Sequence, residues 1–434
     1  VWILVIATLA VGLGYACQSL IGLKDRRLSG EGGTSTASNA GQSGAAKDGG
    51  VVSKTCKTYC DDILGACTDA DNHSQFYAAK GAPPNRAACE NVCSIFEAAG
   101  KTDTSKVRVD GGSLTAVTLS KDNTMVCRAK EALHATQIEP DVQCPFAGPG
   151  GADTCGSNCE SYCYLMSRAC AMFPQFQNDD CVTKCGALRD LTEETLKPGE
   201  SSLDATRDHE GDTVQCRIVH VASATVAPET HCWHAQLAPH SQEGTLNPCA
   251  GYLNETAPRC EDYCRITNVA CTPEEGYAVY ESKDQCMKVC QALDPGTLMD
   301  EGGKPNVEDN NNVGCRKSHA YNALLIGAEA HCPHAGPAGA GVCGSNCASY
   351  CTLLEKGCAA QFKQEYGTGS GAGNDCQTAC EKVDGHDKKD YAVSKAGNGP
   401  GQAFACRLLS VTRALGTPGE PAFCEAALGH VVCP

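Results

Sequence analysis

Apolar and half-cystine positions recur along this chain with the period of an α-helix. In the first instance Cys56, Cys60, Ile63, Leu64 and Cys67 stand at offsets of 0, 4, 7, 8 and 11. At about 3.6 residues per turn these offsets return to one stripe, so the pattern predicts an amphipathic helix whose inward face is lined with sulfur. The same Cys-x3-Cys-x6-Cys spacing reappears at Cys159/Cys163/Cys170, Cys260/Cys264/Cys271 and Cys347/Cys351/Cys358. A second Cys-x3-Cys pair follows with apolar companions (Cys89, Val92, Cys93 and Phe96 in the first copy) and predicts a second helix. A third is predicted to start near the sixth cysteine, where Asp212-Thr213 offers an N-cap.

Read as a repeat, the chain holds four modules of eight cysteines, over residues 56–155, 156–249, 250–343 and 344–434. In the second module the order is Cys159, Cys163, Cys170, Cys181, Cys185, Cys216, Cys232 and Cys249. Other positions repeat with them. A tyrosine precedes the second cysteine (Tyr59, Tyr162, Tyr263, Tyr350), and an arginine follows the sixth (Arg128, Arg217, Arg316, Arg407). The stretch CPFAGPGGADTCGSNC from Cys144 returns as CPHAGPAGAGVCGSNC from Cys332 and marks joints between modules. The expected fold is all-α and disulfide-rich: four tandem copies of an α-hairpin plus a third helix, each closed by four bridges.

Composition sharpens this picture. With 33 cysteines in 434 residues and only two tryptophans, cross-links rather than large aromatic side chains must hold the modules together. Each bridge is expected to contribute roughly 2–4 kcal/mol. Eight cysteines per module leave Cys17 unpaired. Residues 1–16, VWILVIATLAVGLGYA, read as the apolar core of a signal peptide. Gly14-Tyr15-Ala16-Cys17 resembles a bacterial lipobox, which implies acylation at Cys17, although glycine stands where leucine is usual. Residues 17–55 then form the lipid-anchor site and a flexible Gly/Ser-rich linker. The expected location is the outer membrane or cell surface, or outside the cell, with lipid as partner through Cys17. Protein partners and self-association stay open. A net charge of −16 speaks against nucleic acid.

Two helices each bearing Cys-x3-Cys resemble the twin-bridged hairpin of the small Tim proteins. That resemblance implies pairing of Cys56 with Cys93 and Cys60 with Cys89. In the later modules it implies Cys159 with Cys185, Cys163 with Cys181, Cys260 with Cys290, Cys264 with Cys286, Cys347 with Cys380 and Cys351 with Cys376. The small Tims lack the other four cysteines, so their chaperone activity is not implied. Third to sixth and seventh to eighth is the favoured pairing for these, though sequence alone does not fix connectivity. The Cys-x-x-Tyr-Cys repeats, the Cys-Arg helices and the His-Cys-x-His stretches together resemble tandem Cys-rich lipoproteins of myxobacterial type over residues 17–434. That likeness implies a location and an architecture, and no activity.

Candidate chemistry is confined to the two middle modules. His220, His231 and His234 in one, and His319, His331 and His334 in the other, keep the same spacing around the sixth and seventh cysteines. Three converging imidazoles suit Zn or Cu; the competing reading is capping or surface histidines copied by duplication. The first module has Glu131, Pro145 and Phe146 near the matching positions, and the fourth has Ser410. Cys-x2-Cys is absent, which argues against thiolate zinc, and Cys-x-x-Cys-His is absent, which removes a c-type haem. Haem held non-covalently by two of the six histidines is the other cofactor to weigh. The acidic runs around Asp204, Asp208, Glu210 and Asp212, and around Glu308 and Asp309, do not have EF-hand spacing and read as solvated turns. No G-x-S-x-G, P-loop or H-E-x-x-H motif occurs. The expectation is a non-catalytic, surface-anchored or secreted structural or interaction protein. A metal- or haem-binding surface protein using the histidine clusters is the alternative.

Overall fold

A serine or threonine opens most of the long helices by accepting a hydrogen bond from the backbone N–H three residues on, as Ser53 does from Cys56, Ser157 from Glu160 and Thr213 from Cys216. The computed structural model describes residues 52–67, 77, 85–101, 108–109, 112–113, 119, 122–137, 140–172, 180–192, 211–237, 248–250, 259–296, 311–369, 371–397, 403–418 and 420–432. The expected signal peptide, Cys17 and nearly all of the linker lie outside these residues.

The first module contains α1 (Lys54–Ala66), α2 (Arg86–Lys101), β1 (Arg108–Val109) and β2 (Gly112–Ser113), α3 (Met125–Gln137) and α4 (Pro140–Ala147). The two-residue strands pair antiparallel. The second module contains α5 (Asn158–Ala169), α6 (Cys181–Cys185), α7 (Val214–Ala224) and α8 (Pro228–Ala235). The third contains α9 (Cys260–Ala270), α10 (Lys283–Ala292), α11 (Val313–Leu325) and α12 (Ala328–Ala335). The fourth contains α13 (Asn346–Gly357), α14 (Ala359–Tyr366), α15 (Ala372–Cys380), α16 (Ala403–Gly416) and α17 (Pro421–Leu428). The fold is all-α and disulfide-rich, in four tandem helical modules. To the hairpin and third helix each module adds a short closing helix that carries the seventh cysteine.

In every module the first cysteine bonds the fifth and the second bonds the fourth, so two rungs one turn apart close the hairpin. The remaining pairing departs from expectation. The third cysteine bonds the seventh, as Cys67–Cys144, Cys170–Cys232, Cys271–Cys332 and Cys358–Cys424. The sixth bonds the eighth, as Cys127–Cys155, Cys216–Cys249 and Cys315–Cys343, and Cys406 is disulfide-bonded too.

The closing helix is the reason. Tyr59, Tyr162, Tyr263 and Tyr350, all buried, donate their hydroxyls to the carbonyls of Ala147, Ala235, Ala335 and Ala427. That bond lays the closing helix against the first, and the seventh cysteine, three residues earlier, then lies at the first helix's C-terminal end, beside the third cysteine.

The repeated arginine completes the core. Arg128, Arg217 and Arg316 are fully buried. Each sends Nε to the first carbonyl beyond the closing helix (Gly148, Gln236, Gly336) and Nη2 to the next (Pro149, Leu237, Pro337). Those carbonyls are the negative end of the helix dipole, a natural seat for a cation. Burial lowers the Arg128 guanidinium to about 10, still cationic at neutral pH. In the fourth module Arg407 lies against the C-cap Gly429, whose positive φ of 81° favours glycine.

Two joints are alike. Arg128 Nη2 also reaches Ser161 Oγ of the second module at 3.0 Å, and Arg316 Nη2 reaches Ser349 Oγ of the fourth at 3.0 Å. The joint between the second and third modules is ionic instead. Buried Asp212 accepts from Arg217 Nη2 at 2.8 Å, from Lys317 Nζ at 2.6 Å and from the Tyr321 hydroxyl. Lys317 also lies 3.9 Å from Asp262. Thr213 is the N-cap that the sequence led one to expect, and Asp212 is freed for this network.

Candidate metal centre

The third helix and the closing helix of the second module meet at a tight corner, Thr225–Ala227. His220 lies on α7, one turn beyond Cys216, and His231 and His234 lie on α8, either side of Cys232. Both helices are cross-linked beside these residues, by Cys216–Cys249 and by Cys170–Cys232. The third module repeats the arrangement, with His319 on α11, His331 and His334 on α12, and bridges Cys315–Cys343 and Cys271–Cys332. The spacing found in sequence therefore becomes a corner whose two arms are each cross-linked, which is how a fold preorganises ligands.

The imidazoles converge. In each trio the ligand nitrogens lie within 4.8 Å of one another. Nδ1 of His220 is 3.1 Å from Nδ1 of His231, and the matching pair, His319 and His331, is at 3.2 Å. In a tetrahedral zinc site with ordinary Zn–N bonds, neighbouring ligand nitrogens lie about 3.3 Å apart, so these pairs are already near the spacing that one ion requires. The third ring meets the first edge-on, with centroids at 4.8 Å for His220 and His234 and 4.9 Å for His319 and His334. Nδ1 of His234 and Nδ1 of His334 are buried with no hydrogen-bond partner. An unpaired buried polar atom is costly, and the same atom being left so in both modules asks for an explanation.

Protonation favours ligation. All six side chains are half-buried. Burial, aided by the His234 imidazole, lowers His231, and burial alone lowers His234 and His331. Burial together with His334 and His331 pushes His319 down to about 4. Burial, His331 and Lys389 lower His334. Each ring so shifted stays neutral, the form that binds metal, to lower pH than a free histidine.

Other clusters fit less well. The sulfurs of Cys216 and Cys249 lie within 4.8 Å of a His220 nitrogen, as do those of Cys315 and Cys343 with His319, but they are joined as disulfides and supply no thiolate. In the first module Glu131 takes the place of His220 and pairs with His134 Nδ1 at 3.3 Å and Lys130 Nζ at 3.4 Å. In the fourth, Ser410 donates back to the Cys406 carbonyl at 3.0 Å. The acidic run of the second module contributes Asp212, which is consumed at the ionic joint; Asp204, Asp208, Glu210, Glu308 and Asp309 lie outside the described residues. Sequence reading missed Lys317 and Asp262, of which Lys317 reaches Asp212 across the boundary between the second and third modules. The invariant tyrosines and arginines carried a signal, their repetition, but not its meaning.

Residues 253–346 match the model of the BfoA family C-terminal domain. The matched segment covers α9 to α12 and thus one whole histidine trio. No curated protein and no solved structure matches the chain.

Proposed function

We propose that this protein is a disulfide-locked helical scaffold whose second and third modules each bind one transition-metal ion, Zn²⁺ or Cu²⁺, through three imidazoles. The observation that carries this reading is the convergence of His220, His231 and His234, and again of His319, His331 and His334, with all ligand nitrogens of a trio inside 4.8 Å. Imidazole suits both metals. Haem fits poorly: axial histidines approach from opposite faces of a porphyrin, and Nδ1 atoms 3.1 Å apart leave no room for a macrocycle between them. The bound ion would tie the third helix of each module to its closing helix.

Protein stripped with a chelator and then titrated with Zn²⁺ or Cu²⁺ should bind two ions per chain. H231A and H331A should each bind one, and the double variant none. Failure of the wild-type chain to bind either metal stoichiometrically would overturn the reading. For location, we propose attachment to a cell surface through acylated Cys17, on the lipobox-like segment and the odd cysteine. The mass of the mature N-terminal peptide tests this, and an unmodified Cys17 would remove it.

A further inference from the structure

From the second module on, the third helix presents a stripe to the module before it. Six residues after the sixth cysteine the four modules carry Leu133, Ala222, Tyr321 and Thr412. The last three are buried. At the second module, α2 of the first reaches the stripe, where Asn91 Nδ2 donates to the Thr225 carbonyl at 3.1 Å. At the third, Tyr321 and, one turn earlier, Lys317 bind Asp212 of the second. At the fourth, the second hairpin helix of the third module takes the part again. Gln285 Nε2 of α10 donates to Thr412 Oγ1 at 3.2 Å, and Glu281 just before α10 pairs with Arg413 at 2.7 Å.

In the first module the same stripe is open. Leu133 is 45% exposed, and Val126, two turns earlier, is 78% exposed. Ala129 lies between them, and Lys130 beside them has its side chain 66% exposed. Large apolar side chains left open at a position that the sister modules bury mark a repeat surface fitted to a neighbour of its own kind.

The fourth module carries a matching half. Counted from the fourth cysteine, Asp375 and Thr378 of α15 stand where α10 has Gln285 and α2 has Asn91, and both are exposed. The charges agree too. At the joint of the third and fourth modules the acid, Glu281, comes from the second-helix side and the base, Arg413, from the third helix. Asp375 and Lys130 would meet in the same sense.

We propose that the open stripe of α3 docks a second copy of this chain, through α15 of that copy's fourth module, so that copies join head to tail. Such a contact uses two different patches and leaves one of each free, so it continues into an open series unless the rotation closes a ring.

Sedimentation velocity of the full chain over a range of concentrations tests this. The wild-type chain should associate as concentration rises. L133E puts a charge in the stripe, and T378R sets a cation against Lys130. Each should weaken association roughly tenfold or more, the scale of one buried leucine. Both positions are exposed, and V126E and D375R form a second pair of variants should either fail to fold. Mixed one to one, L133E and T378R should give a heterodimer and nothing larger, because each supplies the patch that the other has lost. A wild-type chain that stays monomeric throughout would overturn the proposal, including the case in which another part of the same chain covers α3. Assembly lost in L133E but kept in T378R would overturn α15 as the occupant. A mixture that stays monomeric would overturn the head-to-tail arrangement.

Discussion

Tyr162 shows how much one hydroxyl does here. Its O–H donates to the Ala235 carbonyl at 2.7 Å inside the core, and burial raises its pKa far beyond neutrality, so the donor proton is always present. Y162F should lower stability by about 1 kcal/mol, the net worth of a neutral hydrogen bond, with a further cost for the orphaned carbonyl. Chemical denaturation of the oxidised protein would measure it. The same substitution should loosen α8 and weaken metal binding in the second module while sparing the third. The arginine beneath it is less tolerant. Arg217 satisfies two carbonyls beyond α8, the Thr213 carbonyl and Asp212 at once, so R217M would leave several buried acceptors unpaired. A loss of roughly 3–5 kcal/mol is expected by thermal or urea unfolding.

At the scale of elements, the closing helix is what the cross-links serve. Cys170–Cys232 spans 62 residues of sequence, and removing such a bridge should cost about 4 kcal/mol through the freed unfolded chain. A C170A/C232A variant should therefore melt earlier and lose the second module's metal, read by differential scanning calorimetry and metal analysis, while the third module keeps its ion. The hairpin helices were plain in the sequence because half-cystines at offsets of 4 and 11 can only line one helical stripe. The closing helix was not. It is eight residues long in each module and has a proline inside it at Pro145 and Pro333, too short and too interrupted to show a period. The third cysteine pairs with the seventh, on this helix, and not with the sixth as expected. The histidine trios were legible as a spacing because His231 and His234 flank one cysteine; that Nδ1 of His234 would be left buried and unpaired was not.

Across the whole molecule the joint between the second and third modules is where pH should act. Burial, and the Asp212 carboxylate beside it, raise Asp262 to about 6, against the pull of Lys317, Arg259 and Arg189. Between roughly pH 4 and pH 6 the folded chain then holds a proton that the unfolded chain has released, so stability falls as pH rises through that window. Asp212 runs the other way: burial would raise it, but Lys317 and Arg217 outweigh burial and hold it below the usual carboxylate range. Its contribution is present above that range and is lost at strongly acid pH. D262N should flatten the slope between pH 4 and pH 6 in denaturation curves and leave the acid limb in place. An unchanged slope would assign it to other groups. None of this could be read along the chain, because Asp212, Asp262 and Lys317 stand in three separate helical segments and acquire meaning only where the segments touch.

The serine that completes the Arg316 cluster has a practical consequence for anyone cutting the chain. Ser349 lies beyond the last cysteine of the third module and beyond the end of the matched segment at residue 346, yet it accepts from that buried guanidinium and donates to Asn311. A fragment trimmed at either of those natural-looking ends would carry every sulfur it needs and keep the guanidinium's bonds to Gly336, Asn312, Asn311 and Pro337, yet lose the hydroxyl that ties it to the next module. A piece that keeps the whole cluster must borrow the first turn of its neighbour.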